Sequence, residues 1–107
     1  MVVGIARLTF FIPASHSLKD KRMVVRRVKD KVRARFNAAI AEVSDQDVWQ
    51  KGVLGVAVVG NESRFVGQAL DEVVRLIRAE AEVTNVEREL QVREQPLAHN
   101  DLGFRYE

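Results

Sequence analysis

The sequence predicts an α+β domain in which a four-stranded antiparallel sheet carries two helices on one face. Three observations predict it. Apolar or alternating runs rich in β-branched residues recur at Val2–Ile12, Ala38–Ser44, Val53–Val59 and Val86–Val92. Two other segments, from Leu18 to Phe36 and from Ser63 to Ala81, repeat apolar residues three and four apart instead. Pro, Gly, Asn and Asp punctuate the boundaries, so the elements follow as strand, helix, strand, strand, helix, strand.

Each element has its own justification. In the first strand every even position from Val2 to Ile12 is apolar or small, while Val3, Ile5, Arg7, Thr9 and Phe11 form a mixed face; Pro13 ends it. Ser17 sits where a helix cap belongs, with Asp20 three residues on to reach back to the cap's own N–H. Val25, Val28, Val32 and Phe36 then make a buried stripe, and Asn37 closes the helix. After Ala38–Ser44, Asp45-Gln46-Asp47 reads as a turn. Val53–Val59 is apolar on both faces, which suits a central strand. Gly60-Asn61-Glu62-Ser63 opens a second helix with Val66, Leu70, Val73, Val74 and Ile77 facing inward. Val86, Leu90 and Val92 alternate with polar residues as a half-exposed last strand, ended by Gln95-Pro96. The order β-α-β-β-α-β is the split βαβ arrangement of ferredoxin-like domains. Residues 1–95 are expected to form that single domain. Residues 96–107 are expected to be a tail that Leu102, Phe104 and Tyr106 could dock.

Composition narrows the function classes. At 107 residues the chain suffices for one core without staples. Cysteine is absent, which excludes disulfides, thiol chemistry and thiolate metal sites and suits a reducing compartment. Nothing approaches the roughly 18 apolar residues that span a bilayer, and Met1–Ala6 reads as structure, not as a signal peptide. A cytoplasmic protein without a membrane partner is expected. No P-loop, dinucleotide fingerprint or nucleophile elbow occurs, and Val2–Arg7 lacks the glycine-rich cradle of an acylphosphatase. No cofactor is expected, and no enzyme activity. Glu42, Asp45 and Asp47 read as a solvated acidic turn in preference to a metal site, and His16 and His99 lack a ligand pattern.

Three segments resemble a known family: His16-Ser17-Leu18-Lys19-Asp20-Lys21-Arg22, Arg33-Ala34-Arg35-Phe36-Asn37, and Ala41-Glu42-Val43 through Asp45-Gln46-Asp47-Val48-Trp49-Gln50 into Leu54–Val59. Together they are similar to the YlxP-like family of small bacterial proteins, over nearly the whole chain to about residue 94. The resemblance implies a ferredoxin-like fold with no established catalytic residues. Family genes often neighbour those for ribosome-binding factor A and a translation initiation factor, which implies a link to ribosome maturation or translation.

Charge supplies the candidate site. From Lys19 to Phe36 nine Lys/Arg face two acids, giving +7, while the other residues hold eight bases and thirteen acids, giving −5. Such polarity suits a polyanionic partner. At 100° per residue Lys19, Arg22, Arg26, Lys29 and Arg33 share a stripe about 80° wide and roughly 20 Å long. With Lys21, these residues are the expected phosphate contacts to RNA or a ribosomal particle. Base stacking on the sheet is excluded, because Val53–Val59 has no aromatic residue and the first strand offers only Phe11 on its mixed face. Trp49, Val3, Ile5 and Phe11 are the expected protein interface, since an uncovered apolar sheet face is most simply closed by a homodimer. A protein–protein adaptor with no nucleic-acid role is the alternative.

Overall fold

A computed structural model describes residues 1–94. Six elements follow in the expected order: β1 (Val2–Phe11), α1 (Leu18–Arg35), β2 (Ala38–Ser44), β3 (Lys51–Gly60), α2 (Ser63–Glu80) and β4 (Glu82–Val92). They form one antiparallel sheet in the order β2-β3-β1-β4, with β2 and β4 as its edges. The tail expected at 96–107, with Leu102, Phe104 and Tyr106, lies outside the described residues, as does His99.

One face of this sheet makes the core. Val2, Ala6, Leu8 and Phe10 of β1 and Leu54, Val56 and Val58 of β3 are buried against Val25, Val28 and Val32 of α1. Val66, Leu70, Val73 and Ile77 of α2 complete it. Close approach of α2 depends on Gly4, where a Cβ would lie 2.5 Å from Val66 Cγ1 and 2.7 Å from Leu70 Cδ1. Gly52 does similar service at the head of β3, where a Cβ would meet the Phe10 ring at 2.5 Å. That space lets β3 pair with β1 as far as Phe11↔Lys51, two residues earlier than the apolar run suggests.

Two register shifts shape the edges. Between Thr9 and Phe10 the partner in β4 jumps from Asn85 to Val83, so Thr84 is an extra residue. Val83 and Val86 therefore both pack against the core, three positions apart. The strict alternation expected from Val86 onward thus missed the first residues of β4, which starts at Glu82 directly after the helix cap at Ala81. The second shift lies between Glu42 and Ser44, opposite Leu54 and Val53. Asp45 follows with φ of 59°, a left-handed conformation that Asp tolerates better than most residues.

Candidate nucleic-acid interface

The start of α1 is set locally. Ser17 Oγ accepts the Asp20 N–H at 3.1 Å. The Asp20 carboxylate in turn accepts the N–H of His16, at 3.0 Å, one residue earlier than the capping box predicts. Eighteen helical residues follow, ending with Phe36 as cap and Arg35 over its ring, 5.5 Å from the centroid.

The structure removes one residue from the expected phosphate contacts. Lys21 is 1% exposed, its ammonium 2.6 Å from Glu42 Oε2 and donating to the Asp45 carbonyl at 2.5 Å. Among the described residues no donor is aligned for a hydrogen bond to that Glu42 oxygen, so Lys21 holds it as a close ion pair. Lys21 cannot reach a ligand; it staples α1 to the end of β2. A buried charge of this kind persists because its partner is within contact distance.

Apart from Arg35, which lies over Phe36, the other cations of α1 divide between two flanks. On the side facing α2, Arg27 Nε lies 3.2 Å from Glu80 Oε2, and the Lys31 ammonium donates to Glu80 Oε1. The hydrogen bond from Lys31 holds the Glu80 carboxyl below its ordinary range; partial burial opposes this, and the charges of Lys31 and Arg27 add to it. On the side facing β2, Lys19, Arg22, Arg26, Lys29 and Arg33 have no ion-pair partner among the described residues. Lys19, Arg22, Arg26 and Arg33 are exposed and Lys29 half-buried. Arg33 is tethered, donating to the Ile40 carbonyl of β2 at 3.1 Å.

That flank overhangs an edge strand. Arg22, Arg26 and Lys29 line a cleft of about 330 Å³ together with Val25, Ala41, Glu42 and Gln46. Gln46 donates to the Glu42 carbonyl at 3.1 Å, so side-chain donors occupy two carbonyls of this edge strand. Since Glu42 is already matched by Lys21, the net field in the cleft is positive. A row of this sort can neutralise phosphates in succession, releasing a counterion for each. Sequence reading missed Gln46 and Glu42, whose place at the cleft follows from the β2–α1 packing.

The expected interface residues are partly brought together. Val3, Ile5 and Phe11 lie on the open face of the sheet, Ile5 and Phe11 exposed and Val3 half-buried. They share that face with Ala39, Ala41 and Val43 of β2 and Ala57 and Val59 of β3. Trp49 lies beyond the sheet, in the loop before β3, and is 44% exposed. Two of the three acids around the turn are engaged elsewhere: Glu42 with Lys21, and Asp45 with Lys51 at 3.8 Å. No helix among the described residues is long and apolar enough to cross a membrane.

Comparison with known proteins decides the family. Residues 3–89 match a family described as "Protein of unknown function (DUF503)". The chain belongs to that family. It is also 32% identical over 82 residues to "Uncharacterized protein YlxP" of Bacillus subtilis (strain 168), covering 77% of this chain and 89% of that one. Among solved structures it is similar to the de novo designed protein Foldit4, with a TM-score of 0.56, 13% identity, and 87% and 98% of the two chains covered. A second design, LFR1 1 with ferredoxin fold, gives 0.52 at 15% identity over 89% and 88%. These two likenesses show the ferredoxin-like fold alone.

Proposed function

We propose that this protein is a cytoplasmic, non-catalytic domain that binds RNA or a ribonucleoprotein, foremost a ribosomal particle, through the β2-facing flank of α1. Lys19, Arg22, Arg26, Lys29 and Arg33 would contact phosphates, and the positive end of the helix dipole at Ser17 adds to the attraction. One observation carries the reading. Five cations stand in a row without ion-pair partners among the described residues, while the opposite flank of the same helix is neutralised by Glu80. Placing RNA ahead of other polyanions draws on the gene neighbourhood that the family resemblance implies.

The test is binding to ribosomal subunits and to mixed RNA across a salt series. For single strands, five neutralised phosphates give log K a slope of about −3.5 against log salt. The Arg22→Glu/Arg26→Glu variant should stay folded and bind at least about tenfold more weakly at low salt. Unchanged binding by that folded variant would overturn the reading.

The open sheet face supports a second reading, homodimerisation. Ile5, Phe11, Val43 and Val59 are exposed on it. Four strands about 4.8 Å apart and roughly 33 Å long offer about 600 Å² per copy, just sufficient for a standard interface when doubled. Ile5→Glu/Val43→Glu should convert such a dimer to monomer in sedimentation analysis; a monomeric wild type excludes it.

A further inference from the structure

We propose that Trp49 stacks an unpaired nucleobase at the N-terminal end of the basic row, so that the ligand is a strand with at least one base free of pairing. This rests on the RNA-binding reading and adds a site to it. Phosphate contacts alone position a strand without reading or gripping its bases. A protein that held only a duplex backbone would gain nothing from an exposed indole on the loop that borders the cleft.

The loop carrying Trp49 is fixed, and it is fixed against α1. Val48 N–H donates to the Asp45 carbonyl at 3.1 Å, closing the turn, while the Lys21 ammonium holds the same carbonyl from the helix side. At the other end, Ile12 N–H donates to the Gln50 carbonyl at 2.7 Å. The Gln50 side chain donates to the carbonyls of Pro13 and Ser15, each at 3.4 Å, in the segment that leads into the helix. Trp49 is thus flanked on both sides by anchored residues and still 44% exposed. Its indole N–H has no hydrogen-bond partner among the described residues. Nearly half of the indole therefore stays open to a ligand.

The same loop borders the cations. Gln46, three residues before Trp49, lines the cleft with Arg22, Arg26 and Lys29. A strand tracking Lys29, Arg26 and Arg22 towards the helix start runs along the cleft that Gln46 of this loop lines. There, on this proposal, the next base would meet the half-exposed indole of Trp49. Stacking on an indole tolerates any base, since each has a π-face. Among the described residues the open sheet face offers a single exposed aromatic, Phe11, too few to stack successive bases.

Trp49 is the sole tryptophan, so its emission reports the contact directly. Titrating the protein with single-stranded oligoadenylate should quench it, and a blunt-ended RNA duplex with equal phosphates should quench it far less. Trp49→Leu should lower affinity for oligoadenylate about 5- to 100-fold and leave duplex affinity within about twofold. Trp49→Phe should retain most of the single-strand affinity. Unquenched emission at saturation, or an equal loss on both ligands, would overturn the proposal. Should that occur while Arg22→Glu/Arg26→Glu still loses binding, RNA contact through α1 stands and only the stacking falls. Failure of both ligands to bind wild type at low salt would remove both.

Discussion

The two flanks of α1 carry the same residue types at the same spacing, yet their surroundings differ. Towards α2, Arg27 and Lys31 converge on one carboxylate, that of Glu80, which is drawn in between them. Towards β2, Arg22, Arg26 and Lys29 open onto a cleft whose single acid, Glu42, is already taken by Lys21 from beneath. The difference shows that a basic helix is not uniformly available to ligands. What counts is whether the neighbouring element presents a carboxylate, and β2 spends its own on a buried staple.

The largest expected effect concerns that staple. Glu42→Gln leaves the Lys21 ammonium buried without a counter-charge and should cost about 3 kcal/mol in urea denaturation, as for other broken buried pairs. A cost below about 1 kcal/mol would mean that Lys21 swings out to water, and the distinction between staple and row would dissolve. Next in size is the exchange of flanks. Neutralising Arg27 and Lys31 to Gln should leave RNA affinity within about threefold, while Arg22→Glu/Arg26→Glu should reduce it at least about tenfold and flatten the salt slope by about 1.4. Equal losses on both flanks would show binding to net charge, with no role for the cleft.

The smallest effect is on Glu80. Its bridges are to cations about half exposed, so Glu80→Gln should cost about 0.2–1 kcal/mol at neutral pH. Because Lys31 and Arg27 hold its folded pKa below that of an ordinary glutamate, this stability is fully present above the ordinary carboxylate range and lost as pH falls through the folded pKa. Melting curves of wild type and Glu80→Gln should therefore converge in acid. A gap that persists or widens there would assign the stabilisation to packing.

Lys21 shows how much of the site was legible. At 100° per residue it lies about 200° round from Lys19, between Val28 at about 180° and Val32 at about 220°. The helical period thus places it on the buried seam, and grouping it with the surface row overrode that signal because burying a lysine is costly in the absence of a known partner. Glu80 carried no comparable signal. Its link to Arg27 spans 53 residues and exists only because α1 and α2 lie side by side. In the sheet, β2 was readable to the residue, whereas β4 was not, since the extra Thr84 shifts the core-facing phase between Val83 and Val86.

By itself the sequence determined the element order, the cap at Ser17, the core stripes and the concentration of positive charge on one helix. These are local or periodic properties, set by each residue's neighbours along the chain. Only the tertiary structure decided which cations are neutralised, where the cleft opens and that Trp49 stays half-exposed in an anchored loop. Those outcomes depend on carboxylates, carbonyls and loop anchors tens of residues away, brought within a few ångströms by packing that no local pattern encodes.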